Sequence, residues 1–259
     1  MKAREVFDQL LHGAINIMDN TCDVLIAGDE NKEVSKIGVC FKLTAELIHS
    51  AKEQGIDLII THEPTFSRGD RWEDAAFVDL KKRKLLDESG ITVYRFHDHA
   101  HNRETDYIHD GFIKDLDLKI RKKYPRESLG ICRYELDEDL TVKQLAKRIK
   151  QCLGVEFVRI VGKDDFPLKT VCLGLGCVGL PQIEILFDPG CDLFITGEID
   201  ELFSAEAVRD ACFFGENKSL LILGHYSSEY AGMKLLADEL NRSVCDTVFL
   251  DGKEVYHSI

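Results

Sequence analysis

The 259-residue chain has no C-x-x-C pair, only five prolines and one tryptophan, and fewer basic than acidic residues. Its nine cysteines, at 22, 40, 132, 152, 172, 177, 191, 212 and 245, form no spaced framework. That excludes a thiolate zinc ribbon and points to a reducing compartment rather than a secreted disulfide fold. Cys40 and Cys172 lie in apolar runs, where a thiol behaves as a small hydrophobe. No stretch approaches the roughly 20 apolar residues of a membrane span. The start, Met1-Lys2-Ala3-Arg4-Glu5, leads into an amphipathic helix rather than an apolar signal core. A cytoplasmic protein with no membrane partner is expected. With 33 basic against 46 acidic residues the net charge is -13, a surface that repels phosphate backbones and argues against nucleic acid as a general partner.

What is present is an ordinary globular composition, 44% hydrophobic and 31% charged, at a length that buries a core without covalent staples. Short runs rich in Val, Ile and Leu predict strands near 23–27, 36–41, 57–61, 91–96, 128–135, 155–161, 170–175, 192–196, 219–223 and 246–250. Helical periodicity predicts helices over 3–18, 44–54, 73–89, 105–120, 141–153, 180–187, 201–213 and 229–241. Continuous apolar strands such as Leu58-Ile59-Ile60 and Leu220-Leu221-Ile222-Leu223 suit a sheet covered on both faces. Alternation with helices makes the fold α/β with largely parallel sheets.

An internal echo organises the chain. Asp57-Leu58-Ile59-Ile60-Thr61-His62-Glu63 matches Asp192-Leu193-Phe194-Ile195-Thr196-Gly197-Glu198 at five of seven positions. A glycine turn precedes each segment (Gly55; Gly190), and a helix and a strand ending in histidine follow each (His97; His225). The chain therefore reads as two similar α/β halves, 1–124 and 125–259, divided at the polar, proline-bearing stretch Lys122-Lys123-Tyr124-Pro125-Arg126.

Potential metal ligands collect after the carboxyl ends of predicted strands, where open α/β sheets bind ligands. His62 and Glu63 follow one strand; His97, Asp98, His99 and His101 follow a second. Glu198 follows a third, and His225 and Glu229 a fourth, the last two sharing a face if a helical turn begins at His225. A single histidine in a loop is usually an ordinary polar residue; five at such strand ends, with carboxylates, point to metal. Imidazole and carboxylate without cysteine suit Zn, Mn or Fe(II). The donors exceed the needs of one ion, so two divalent ions per chain are expected, an arrangement suited to hydrolysis. His12, His49, His109 and His257 stand apart and read as surface or helix-face residues, and the clusters at 81–84 and 121–126 as solvated faces.

Two other motifs compete. Gly174-Leu175-Gly176-Cys177-Val178-Gly179 fits a dinucleotide-binding G-x-G-x-x-G, with Glu198 placed to hold a ribose, although tight strand-to-helix packing explains the glycines without a ligand. Ser227 and Ser228 neighbour His225 but lie in no G-x-S-x-G elbow.

Thr61-His62-Glu63-Pro64, the histidine group at 97–101, Asp192 to Glu198, and Gly224-His225-Tyr226-Ser227-Ser228-Glu229 together resemble the NIF-three-like family, whose members are commonly called GTP cyclohydrolase 1 type 2 homologues. The resemblance implies two similar α/β domains, a dinuclear metal site in the cleft between them and a ring-shaped homo-hexamer. The family pattern has His-His-Pro where this chain has His62-Glu63-Pro64, and aspartate four residues after a histidine where it has His97 and His101. One histidine has become a carboxylate and one carboxylate a histidine, a compensated exchange that keeps the charge of the set His62, Glu63, His101, His225 and Glu229. His97 completes the expected ligands, with Asp98 and His99 either as extra ligands or as groups that support the ligands. The expected function is a metal-dependent hydrolase of a small phosphorylated or nucleotide-type substrate, with Glu198 or Asp98 moving protons. The alternative is a non-catalytic protein that stores, delivers or senses metal, or scaffolds a partner.

Overall fold

The computed structural model describes residues 1–67, 69–70, 77–125, 129–179, 181–188 and 190–257. The chain divides into two compact units: Met1–Tyr107 with Gly232–Lys253, and Ile108–Ala231 with Glu254–Ile259. The first contains α1 (Ala3–Leu11), β1 (Val24–Ala27), β2 (Lys36–Lys42), α2 (Ala45–Glu53), β3 (Leu58–Glu63), α3 (Phe77–Ser89), β4 (Thr92–Arg95) and α4 (Asp98–His101). Next along the chain come α5 (Tyr107–Asp115), β5 (Ile120–Lys123), β6 (Cys132–Leu136), α6 (Val142–Leu153), β7 (Arg159–Gly162), β8 (Thr170–Gly174) and α7 (Pro181–Leu186). Then follow β9 (Leu193–Thr196), a π-helical turn at Glu201–Ala205, α8 (Glu206–Phe213), β10 (Ser219–Ile222), α9 (His225–Ser243) and β11 (Asp246–Phe249).

Each unit has one mixed sheet. In the first the order is β1-β4-β3-β2-β11, with β4, β3, β2 and β11 parallel and β1 antiparallel at the edge. In the second the order is β5-β6-β8-β9-β10-β7, and only the central β8, β9 and β10 run parallel. The fold is α/β as expected, but the second sheet is less parallel than its apolar strands suggested. Strands β3, β9 and β10 are buried along their length, apart from Glu63 at the end of β3. Their cores are built on Ile59, Ile48 and Val93 in the first unit and on Phe194, Val208 and Leu220 in the second. Both-face burial follows from continuous Leu, Ile and Val, which leave no polar face for water.

The echo in sequence is an echo in geometry. Asp57 Oδ2 accepts from the backbone N–H groups of Ser35 and Lys36, and Asp192 Oδ2 accepts from those of Lys169 and Thr170. At the other end, Thr61 Oγ1 donates to the Glu63 carbonyl and Thr196 Oγ1 to that of Glu198, each at 3.1 Å. An aspartate fixes where the strand starts and a threonine shapes the turn that ends it. The two halves thus present the residues after β3 and β9 in the same local way.

Several boundaries differ from the sequence reading. A division at 124/125 falls inside the second unit, next to the antiparallel β5–β6 pair. The helix expected over 3–18 stops at Leu11, and the one expected over 105–120 gives way to β5. Residues 13–23 instead run alongside α4: Ile15 N–H donates to the Asn102 carbonyl and Met18 N–H to His99 Nε2. Those partners lie more than 80 positions away, beyond the reach of local periodicity. The starts of the helices expected over 73–89 and 180–187, and part of the strand expected over 128–135, lie outside the described residues. His109 is fully buried on α5, bonded to the Tyr134 hydroxyl and the Gly130 carbonyl at 3.1 Å each, and so is a core residue rather than a surface one. Lys82 is half-buried and donates to the carbonyls of Leu43 and Thr65, so the 81–84 cluster is not simply solvated.

Candidate metal-binding site

In the first unit, β3 and β4 deliver His62, Glu63 and His97 from adjacent parallel strand ends, and α4 carries His101 one turn on. One donor atom from each of His62, His97 and His101 lies within 4.8 Å of the others. The His62 ring stacks on His97 at a centroid distance of 4.4 Å, with His101 edge-on at 5.2 Å. His62 Nδ1 is 3.1 Å from the Phe96 carbonyl, which can only accept, so the proton sits on Nδ1 and Nε2 carries the lone pair. His101 Nδ1 donates to the buried Asp106 carboxylate at 3.2 Å, with the same consequence. A carboxylate or carbonyl behind the ring is the arrangement that orients metal-ligating histidines.

His97 lies between two acids. Its Nδ1 is 3.0 Å from Asp98 Oδ1 and its Nε2 3.5 Å from Glu63 Oε1. Burial alone would lower its pKa; hydrogen bonds to Asp98, Cys22 and Glu63 outweigh that and push it up to about 12. Burial acts in the opposite sense on Asp98, yet the His97, Cys22 and Thr21 bonds hold its carboxyl well below the usual range. Glu63 also faces the Arg95 guanidinium at 4.0 Å, while Arg95 Nε donates to the His62 carbonyl.

The helix bearing Asp98, His99 and His101 is anchored by Asp23. Its Oδ1 accepts from the N–H groups of His97 and Asp98 at 2.7 and 2.8 Å, and its Oδ2 from those of His99 at 3.1 Å. An acid at a helix start satisfies donors that have no partner within the helix. His99 Nδ1 donates to Asp23 at 2.8 Å and its Nε2 accepts from Met18, so both ring nitrogens are used in support of α4.

The second unit has candidate residues of its own. His225 opens α9, and Glu229 lies one turn later with Oε2 3.3 Å from His225 Nε2. Glu198 Oε1 accepts from His225 Nδ1 at 2.8 Å, leaving Nε2 as the donor atom beside Glu229. Gly176, at φ +70°, allows this closeness: a Cβ there would lie 2.1 Å from Glu229 Oε1 and 2.9 Å from His225 Nε2. A Cβ on Gly197 would lie 2.7 Å from Ser228 Oγ and 2.9 Å from the His225 Cα. Gly176, the second glycine of the G-x-G-x-x-G, therefore makes room for the helix bearing His225 and Glu229, Gly174 makes room for the Phe194 ring, and Glu198 holds an imidazole. Ser228 Oγ accepts from Gly176 N–H and donates to the His225 carbonyl, while Ser227 donates to Glu254; both hydroxyls serve packing.

Residues 9–253 match the model of the family described as Duf34/NIF3 (NGG1p interacting factor 3). The chain belongs to this family. A Clostridium perfringens relative named GTP cyclohydrolase 1 type 2 homolog is 29% identical over 264 residues, covering 94% of this chain and 96% of its own. A Methanocaldococcus jannaschii relative of the same name is 22% identical over 254 residues, with coverage of 94% and 96%. Among solved structures, the Staphylococcus aureus protein SA1388 superposes with a TM-score of 0.78 at 21% identity, over 100% of this chain and 99% of its own. Reduced HcgD from Methanocaldococcus jannaschii superposes at 0.77 and 18% identity, covering 97% and 98%. At such identities the structures establish a shared Duf34/NIF3 fold; activity has to be argued from the site.

Within this Duf34/NIF3 chain the structure brings His62, Glu63, His97 and His101 together in one unit and His225, Glu229 and Glu198 in the other. The donor chemistry fits a divalent cation: the rings of His62, His101 and His225 are oriented from behind by a carbonyl or carboxylate, and further carboxylates lie beside them. Sequence reasoning missed Asp23 and Asp106, which carry no motif. It also missed two cysteines beside the ligands. Cys22 donates from Sγ to Asp98 Oδ1 at 3.3 Å, and the Cys177 thiol, raised by burial and by Glu198, bonds to Glu198. Among the described residues no helix is long and apolar enough to cross a membrane.

Proposed function

We propose that the chain is a metal-dependent hydrolase holding two divalent ions, Zn, Mn or Fe, and acting on a small phosphorylated or nucleotide-type substrate. The observation that carries this reading is the cluster of His62, His97 and His101, whose donor atoms lie within 4.8 Å of one another. The name shared by the curated relatives, GTP cyclohydrolase 1 type 2 homolog, supports the substrate class. In this reading His62, Glu63, His97 and His101 of the first unit and His225 and Glu229 of the second bind the ions.

When bound, such ions supply Lewis acidity, lowering the pKa of water and stabilising charge on a phosphoryl or carbonyl oxygen. The chain supplies positioning and proton transfer. Asp106 and Glu198 orient His101 and His225. The Glu198 side chain is 53% exposed, so its carboxylate can exchange a proton with substrate while it holds the ring. Asp98, kept ionised, acts through His97, whose ring it orients. The assembly is proposed to be a homo-hexamer with no nucleic-acid or membrane partner.

The test is metal content by plasma mass spectrometry on protein purified without chelators, repeated on His101→Ala and His225→Ala. The expected result is two ions per chain, reduced in each variant. Glu198→Ala is then expected to keep metal and the hexamer, read by light scattering, while losing turnover in a phosphoester and nucleotide screen. Negligible metal after reconstitution with Zn, Mn or Fe(II) would overturn the reading. Readily exchanging ions with no turnover of any nucleotide would instead assign metal delivery.

A further inference from the structure

Cys22 reaches the ligand region from a loop 75 positions before His97, on the side of the ring away from Glu63. Its Sγ lies 3.3 Å from Asp98 Oδ1, the same oxygen that His97 Nδ1 meets at 3.0 Å. One donor atom from each of Cys22, His97 and Asp98 lies within 4.8 Å of the others. The other Asp98 oxygen is engaged separately, accepting from Cys22 N–H at 2.8 Å and from Thr21 Oγ1 at 2.9 Å. Those two bonds fix the carboxylate so that Oδ1 faces the thiol and the imidazole. Asp23 holds the backbone of His97 and Asp98 on the opposite flank. One sulfur, one nitrogen and one oxygen donor therefore converge from two chain segments, each held by hydrogen bonds of its own.

We propose that Cys22, His97 Nδ1 and Asp98 Oδ1 form a distinct site for a thiophilic divalent cation, Zn(II) in kind, on the Nδ1 side of His97. Three protein donors of mixed S, N and O type with a further position for water are a set that Zn(II) and Co(II) accept, whereas a purely imidazole and carboxylate set does not select for soft metals. The ion replaces two protons, one from the Cys22 thiol and one from His97 Nδ1, and both leave to solvent. The site uses His97 Nδ1 and does not require the set proposed above, which uses the Nε2 of the same ring, facing Glu63; when both are filled the ring releases its Nε2 proton to solvent as well.

The experiment is titration of the full-length protein with Co(II), comparing wild type, Cys22→Ser and His101→Ala. Wild type is expected to develop a near-ultraviolet sulfur-to-cobalt charge-transfer band, Cys22→Ser to lose it while still binding Co(II), and His101→Ala to retain it. In parallel, Zn(II) is expected to slow iodoacetamide labelling of Cys22 in wild type by about tenfold or more, read by peptide mass mapping, because a metal-bound thiolate is a poor nucleophile. The labelling arm needs no variant, so misfolding of Cys22→Ser cannot shelter the proposal. Co(II) binding without the thiolate band, a band that survives in Cys22→Ser, or unchanged labelling would each overturn this site and leave the histidine set standing. Absence of any Co(II) binding would remove both.

Discussion

Gly176→Ala separates backbone strain from ligand displacement. At φ +70° an L side chain costs about 1–2 kcal/mol. Gly154, at the end of α6, has nearly the same backbone, φ +65°, but nothing within 4 Å of its would-be Cβ. Both alanine variants are expected to lose that strain energy, roughly 2–4 °C in melting temperature per kcal/mol for a chain of this size, with Gly176→Ala falling further because the buried Glu229 must also move. They also part at the metal. In Gly176→Ala the Cβ would lie 2.1 Å from Glu229 Oε1, so reaching ordinary contact at 3.4 Å moves that oxygen by 1.3 Å. Metal–ligand distances tolerate about 0.2 Å. Glu229 therefore leaves its position beside His225, and affinity is expected to fall about 10–100-fold, or roughly 1.4–2.8 kcal/mol. Competition against a chromophoric chelator measures this while calorimetry follows stability. Metal binding by Gly176→Ala equal to that of Gly154→Ala would refute the placement of Glu229 as a ligand.

Asp23→Ala strips the acceptor from three backbone N–H groups and the His99 imidazole at once, and unmet buried donors cost about 1–3 kcal/mol each. Urea denaturation should show a loss of about 3 kcal/mol or more; a loss under about 1 kcal/mol would mean that α4 does not depend on this anchor. Lys82 gives a signature in pH. Burial, and then Lys42, lower its pKa from 10.5 to about 8 in the folded chain. Between those values the unfolded chain still holds a proton that the folded chain has released, so its contribution to stability rises with pH. The stability of wild type relative to Lys82→Met should thus be flat below pH 8 and climb towards pH 10.5. A difference independent of pH across that window would show that the amine is not shielded from water.

Features written in contiguous residues were legible without coordinates. Apolar runs such as Leu58-Ile59-Ile60 predicted the buried strands, and the Asp57–Glu63 and Asp192–Glu198 echo predicted a repeat whose aspartate and threonine hydrogen bonds recur in both halves. Ligand candidates were legible because they stand at or just beyond the carboxyl ends of strands: His62 and Glu63 close β3, and His97 and His225 come shortly after β4 and β10. The 3–18 helix failed because residues 13–23 are held by partners near position 100, which no local period encodes. The 124/125 division failed to coincide with the compact units because it rested on a polar, proline-bearing stretch, and only strand pairing shows which residues stay together.

What the sequence determined by itself is the α/β class, the repeated strand with its aspartate and threonine, and which imidazoles and carboxylates stand at strand ends, because these depend on side-chain type and short spacing. Tertiary structure decided the rest. It chose the tautomers of His62, His101 and His225 through Phe96, Asp106 and Glu198, and buried His109 against Tyr134. It made Gly176 the packing space for Glu229 and brought Cys22 onto Asp98. Each of those outcomes depends on groups 5 to 76 positions apart meeting at hydrogen-bond distance, and a distance across the fold is what a linear pattern does not contain.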